Sequence, residues 1–205
     1  MGKIVYYTGI MIFKSDSTEK INKSHTLESN HIQLEAVDKT QIEQIRVWRN
    51  KQISVLRQDT LISKEEQIEY FERFVFPEYS SKEPKQILLS IKRGKNFIGY
   101  GGMVNINWQT QESEISFLLS PELSEKKEQY STIFSEFLNL IIHLASQKSI
   151  KKLFTETFDF RVHHIGILEK AGFNQKEKLL NRKIVDNQMI NSIIHERQIV
   201  QGASK

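Results

Sequence analysis

Three apolar runs, Gln86–Lys92 (QILLSIK), Asn96–Ile106 (NFIGYGGMVNI) and Ser113–Leu119 (SEISFLL), are joined only at Arg93-Gly94-Lys95 and Trp108-Gln109-Thr110-Gln111. Gaps this short predict an antiparallel meander of three strands. The period then changes. Ile133, Phe134, Phe137, Leu138, Ile141 and Leu144 recur at i, i+3, i+4, which predicts a long amphipathic helix over about Lys127–Gln147. A strand at Lys151–Thr157, a helix at about Arg161–Ala171 and two strands around Leu179–Val185 and Met189–Glu196 complete the C-terminal half.

Upstream of the meander, His31–Val37 alternates polar and apolar residues as a half-buried strand does. Asp38-Lys39-Thr40 offers an N-cap, and Ile42, Ile45 and Trp48 recur at helical spacing, with Trp48 assigned to the core. Ser63-Lys64-Glu65-Glu66 is a capping-box pattern opening a second helix, with Ile68, Phe71, Phe74 and Val75 as its buried stripe and Pro77 as its stop. The order strand, two helices, three strands, long helix, strand, helix, two strands predicts a mixed α/β fold with helices covering a central sheet.

The chain has 205 residues, no cysteine and a formal net charge of +4. Without cysteine there is no disulfide scaffold, thiolate zinc site, iron–sulfur cluster or thiol nucleophile. That agrees with a cytoplasmic location. The basic pI of about 9.1 does not mark a nucleic-acid binder. Residues 1–100 carry 16 Lys/Arg against 13 Asp/Glu and residues 101–205 carry 13 against 12, so no basic patch stands out. The apolar run Ile4–Phe13 is followed by Lys14-Ser15-Asp16 where a signal-peptide cleavage site would lie, and it is too short to span a bilayer. It reads as a short strand or a non-native leader. Lys14–Asn30 has only Ile21 and Leu27 as large apolar residues and reads as a linker. Residues 1–30 are therefore assigned to an N-terminal extension, 31–198 to one domain and 199–205 to a tail.

Several stretches carry a family resemblance. Arg46-Val47-Trp48-Arg49-Asn50, Glu114-Ile115-Ser116-Phe117-Leu118-Leu119-Ser120-Pro121-Glu122 and Ile167-Leu168-Glu169-Lys170-Ala171-Gly172-Phe173 resemble, in order and spacing, segments of the GCN5-related N-acetyltransferase superfamily, in its ribosomal-protein-type branch. Gly99–Trp108 and Thr155–His164 are similar to acetyltransferases that modify amino groups on nucleotide-linked sugars, as in pseudaminic-acid synthesis. The resemblance spans about His31 to Arg197. It implies a largely antiparallel sheet splayed between its fourth and fifth strands, with acetyl-CoA as co-substrate and no metal. The acceptor it implies is a primary amine of a small molecule, such as a nucleotide-linked amino sugar. The alternatives are a protein N-terminal amine, or an inactive member serving as a binding module. No nucleic-acid or membrane partner is implied, and the chain would act as a monomer or homodimer.

By the same resemblance, Phe117, Leu118 and Leu119 form the strand ledge that holds the pantetheine and thioester. The segment Ser124–Thr132 receives the pyrophosphate, with Lys126, Lys127, Gln129, Tyr130, Ser131 and Thr132 as ligands and Arg161 and His164 nearby. A helix N-terminus suits an anion through its unpaired N–H groups. This segment departs from the family in having no glycine, so it equally fits a plain capped helix start. The position of the usual tyrosine acid, five residues before Phe173, holds Leu168.

Amine acetylation needs a proton acceptor and a held carbonyl. Glu114 and His163 are the candidate bases; Glu114 equally fits a pair with a neighbouring-strand lysine, and His163 equally fits a helix-start histidine bonded to nearby backbone. Arg49, Asn50, Tyr100 and Trp108 are candidate acceptor contacts, with core packing as the alternative for the aromatics. Phe160 is a further aromatic beside the cleft. His163 and His164, being adjacent, cannot chelate one metal together as an i, i+4 pair can.

Overall fold

A computed structural model describes residues 5–7, 10–12, 26–185 and 187–200. Residues 14–25 of the expected linker and residues 201–205 of the expected tail lie outside the described residues. The strands are β1 (Val5–Tyr7), β2 (Ile10–Ile12), β3 (Leu27–Glu28), β4 (Gln33–Ala36), β5 (Ile87–Arg93), β6 (Asn96–Asn107), β7 (Glu112–Leu119), β8 (Lys152–Phe158), β9 (Asn174–Val185) and β10 (Gln188–Gln198). They form one sheet in the order β1-β2-β3-β4-β5-β6-β7-β8-β10-β9. Every pairing is antiparallel except β7 with β8, which is parallel.

The helices are α1 (Ile42–Lys51), α2 (Lys64–Tyr70), α3 (Pro121–Ser124), α4 (Lys127–Gln147) and α5 (Val162–Lys170). Strand alternation divides the core between two helix layers. Ile87, Leu89, Ile115 and Leu119 face α4 and α5, where they meet Phe134, Phe137, Ile141 and Leu168. Leu88, Tyr100 and Leu118 face the other way, onto Ile45, Trp48, Phe71 and Val75. Trp48 is core, as expected, and stacks on Phe97 with ring centroids 4.8 Å apart.

Both caps form. The Asp38 carboxylate accepts from Thr40 N at 2.9 Å, and the Ser63 and Glu66 side chains exchange bonds with each other's backbone N–H. The stripe expected on α2 needs correction. Phe71 and Val75 are buried, but Ile68 and Phe74 are 42% and 50% exposed, and Gln67 is buried instead. The cause is a π-helical turn over Phe71–Val75, which adds a residue to the turn and shifts the buried line to Gln67, Phe71 and Val75. Pro77 sits inside the following 3-10 turn, Phe76–Ser80, rather than just after the helix.

Candidate active site

The fourth and fifth strands counted from His31 are β7 and β8. They pair only at Glu112↔Lys152, Ser113↔Leu153 and Glu114↔Phe154. Beyond that point β7 continues on β6 to Leu119, and β8 continues on β10 to Phe158. The sheet therefore splits, and the expected splay is present.

Register decides which groups face the split. Ser120 N donates to Ile98 O, so Ser116 and Leu118 make the same kind of ladder bond to β6, while Ile115, Phe117 and Leu119 turn their amides toward β8. Thr155 Oγ1 donates to Ile115 O at 3.5 Å, and Gln52 Nε2 donates to Leu119 O at 2.9 Å. Phe117 directs its N–H and C=O into the open part of the gap. Of the three expected ledge residues, Leu118 is corrected: its backbone belongs to the β6 ladder.

A cavity of about 160 Å³ occupies the gap, walled by Phe117, Thr155, Thr157, Arg161, His164 and Leu168 among others. Glu114 also lines it. This side chain is 6% exposed and takes Arg57 on one oxygen and Asn105 Nδ2, at 2.8 Å, on the other. Its partner is an arginine from a loop, not the neighbouring-strand lysine that was the alternative. Asn105 sits at a β6 bulge with φ 50°, which aims its amide at the carboxylate. Arg57 also reaches Glu156 on β8 at 2.9 Å, so one guanidinium bridges the two splayed strands. Burial alone would raise the Glu156 carboxyl. Bonds from Ser192 and Arg182, with the charge of Arg57, outweigh it and hold the group below the usual carboxylate value. Lys183 anchors the Arg57 loop by donating to the carbonyls of Ile53 and Leu56 at 2.9 and 2.7 Å.

The N-terminus of α4 has no side-chain cap at Lys126, leaving its first N–H groups to an incoming anion. Lys126, Lys127 and Gln129 are exposed there. The expected phosphate-binding segment is mostly helix, so two of its donors are already used: Ser131 Oγ bonds Lys127 O at 2.8 Å and Thr132 Oγ1 bonds Glu128 O at 3.1 Å. Tyr130 is buried, and its hydroxyl takes Arg161 Nη2 at 3.1 Å and contacts His164 Nδ1 at 2.7 Å. His163 is exposed beside Ser131 and Lys127 on the outside of α4, away from Glu114's cavity. That removes it as a base.

A second cavity, about 410 Å³, lies on the α1/α2 face of β7 and shares Val104 and Ser116 with the first. Arg49 donates to the Tyr100 hydroxyl at 2.8 Å on its wall, with Gln67, Tyr70 and Thr60 opposite. Two expected acceptor contacts are not there to serve. Asn50 is committed to Ile62 N and O and to Gln58, holding the segment after α1. Trp108 bonds Pro84 O at 3.0 Å at the closed end of the sheet. Phe160 is 45% exposed and stacks on Phe158. Sequence reading missed Arg57, Asn105, Glu156 and Gln67. The one available signal was Glu156, a carboxylate in the middle of a strand flanked by Leu153, Phe154 and Phe158, which requires a cationic partner if it is buried. Among the described residues no group of three or more His, Asp or Glu can hold a metal ion, and no helix is long and apolar enough to cross a membrane.

The split sheet, inward amide and uncapped helix define an acyl-CoA-dependent transferase site. A family described as acetyltransferase (GNAT) domain matches residues 17–194, and the chain belongs to that family of N-acetyltransferases, with acetyl-CoA as acyl donor. No curated protein sequence matches. Among solved structures, a spermidine N-acetyltransferase from Vibrio cholerae in complex with CoA and spermine is similar, with a TM-score of 0.72 and 14% identity over 84% of this chain and 98% of that one. An N-acetyltransferase from Staphylococcus aureus Mu50 aligns with a TM-score of 0.69 and 15% identity over 83% of this chain and all of that one. At such identities the likeness is one of fold.

Proposed function

We propose that the chain acetylates a primary amine on a small molecule bearing anionic or hydroxyl groups, such as a nucleotide-linked amino sugar. The observation that carries this reading is the guanidinium of Arg49 in the wall of the α1/α2-side cavity. Glu66 is the only carboxylate lining that cavity, and it is already bonded to Ser63 N. A polycation such as spermine would meet the fixed charge of Arg49 there, with the single carboxylate of Glu66 to offset it. A phosphate or carboxylate would gain a charge-assisted bond. The resemblance of Gly99–Trp108 and Thr155–His164 to amino-sugar acetyltransferases supports the same acceptor.

Acetyl-CoA supplies an activated acyl carbonyl and a thiol leaving group. Phe117 N–H holds the carbonyl oxygen, and the α4 N-terminus with Lys126 and Lys127 holds the phosphates. Glu114, on the acceptor face of β7, takes the amine proton directly or through a water. Incubating the protein with labelled acetyl-CoA and a panel of nucleotide-linked amino sugars, spermidine and N-terminal peptides tests the reading. Transfer to the amino sugars is expected; preferential transfer to spermidine or peptides would overturn it.

A further inference from the structure

Leu168 stands where a proton donor for the departing thiolate is absent, yet the cavity wall beside it carries another. His164 lies one helical turn before Leu168 on the same face of α5, and both line the gap. The His164 ring stacks on Phe134, with centroids 4.2 Å apart and planes at 17°, so its orientation is fixed.

The hydrogen bonds favour one tautomer. Tyr130 Oη accepts from Arg161 Nη2, because a guanidinium can only donate. With Arg161 on one lone pair of the phenol, the arrangement that leaves no buried phenolic hydrogen unpaired sends that hydrogen to His164 Nδ1, 2.7 Å away, which then presents a lone pair. The ring is therefore neutral with its hydrogen on Nε2, and Nε2 makes no hydrogen bond among the described residues. Burial next to Arg161, with His195 and His163 also close, agrees by pushing the imidazole well below its ordinary range.

We propose that His164 is the catalytic acid of this enzyme, with Tyr130 and Arg161 as the positioning residues that recharge it. The proposal rests on the acetyl-transfer chemistry above. As the amine forms its bond to the acyl carbon and the C–S bond breaks, the bonding pair passes to sulfur. His164 Nε2–H gives its proton to that sulfur, and Tyr130 Oη–H gives its own to Nδ1, so the imidazole stays neutral and exchanges tautomers. The charge ends on the Tyr130 phenolate beside the Arg161 guanidinium. The proton removed from the amine leaves through Glu114 to water; after the thiol departs, Nδ1 returns its hydrogen to the Tyr130 phenolate and water in the gap gives one to Nε2, which restores the starting tautomer and balances the cycle without another reactant. Burial raises the Tyr130 phenol above its ordinary value and the Arg161 guanidinium opposes that rise, so the phenolate left by the relay is held by its contact with Arg161.

The test reads the thiol as well as the rate. Wild type and His164→Phe are titrated with CoA by calorimetry, and the ionisation of the bound thiol is followed by thiolate ultraviolet absorbance. A donor aimed at sulfur stabilises the thiolate, so the wild-type thiol should ionise at least tenfold more readily than in His164→Phe, at similar CoA affinity. Equal ionisation in the two CoA complexes would overturn the proposal. Failure of the wild type to bind CoA would instead overturn the acetyl-transfer reading, and the relay with it.

Tyr130→Phe keeps the aromatic packing and guards against a His164 variant that does not fold. In this variant the nitrogen-15 shift of His164 Nδ1 should lose its hydrogen-bonded signature, and kcat should fall about tenfold to hundredfold with KM for acetyl-CoA unchanged. Wild-type kcat together with an unaltered Nδ1 shift would refute the relay.

Discussion

Replacing Arg57 by alanine removes the cation that Glu114 and Glu156 share across the mouth of the split sheet. The two carboxylates are left unequally. Glu156 keeps Arg182 and Ser192, whereas Glu114, 6% exposed, keeps only the Asn105 amide. Breaking a fully buried pair costs about 3–5 kcal/mol. Because the Arg57 side chain is 47% exposed, solvent screening lowers the expected cost to about 1–3 kcal/mol. For a chain of this size that corresponds to a fall in Tm of about 2–4 °C per kcal/mol. The reasoning places most of this cost on a stranded Glu114 charge. The same substitution made in a Glu114→Gln background should therefore cost at least about 1 kcal/mol less, since a neutral amide needs no cation. Urea and thermal unfolding of the four proteins at neutral pH give the cycle directly. Equal losses in both backgrounds would refute the account and make Arg57 a loop residue that happens to lie near two carboxylates.

Glu114→Gln alone should lower kcat by about a hundredfold to ten-thousandfold while the Kd for CoA stays the same, and a change confined to CoA affinity would displace Glu114 as the base. Burial depresses both His164 and His195, so the folded chain binds fewer protons than the unfolded one as acid is approached. Stability should be complete above the ordinary histidine value of 6.5 and fall as pH drops through it toward the folded values; a Tm that is flat across this range would contradict the burial of both rings. Gly102→Ala should destabilise by about 1–3 kcal/mol or more, because its Cβ would stand 1.9 Å from Ile87 O at a φ of +150°. An unchanged denaturation midpoint would show that β5 and β6 can separate there without cost.

Elements whose signals are local were legible in the sequence. The α4 stripe, the Asp38 N-cap, the Ser63 capping box and the three-strand meander each depend on residues within a turn or a hairpin of one another, and each appears at nearly the expected bounds. The charge cluster was not legible. Arg57 meets Glu114 and Glu156 across 57 and 99 positions, and no local pattern couples an exposed loop arginine to two strands. The π turn after α2 escaped for a different reason: Ile68 and Phe74 fit a regular 3.6-residue period, and only packing decides that Gln67 takes the inside. Asn50 and Trp108 fit an acceptor contact by residue type alone, whereas the structure spends Asn50 on the Ile62 carbonyl and Trp108 on the Pro84 carbonyl. His163 and His164 could not be told apart by sequence, since adjacent helix positions differ only in which one faces the sheet.

The division of labour at the site follows from strand parity. On β7 the odd positions 115, 117 and 119 send side chains into the α4/α5 core and amides toward β8, whereas 114, 116 and 118 face α1 and α2 and bond to β6. The Phe117 amide therefore lies in the plane of the gap while the Glu114 carboxylate lies on the acceptor face, three residues away. A one-residue slip would bury Glu114 against α4 and turn the ledge amide into the β6 ladder. The register is held by glycines on β6. A Cβ at Gly101 would stand 2.4 Å from Ser116 O, and one at Gly99 would stand 2.6 Å from Leu118 O, so β7 can approach this closely only at these positions. Gly99 and Gly101 thus act through the neighbouring strand: they fix which face of β7 carries the base and which amide meets the thioester.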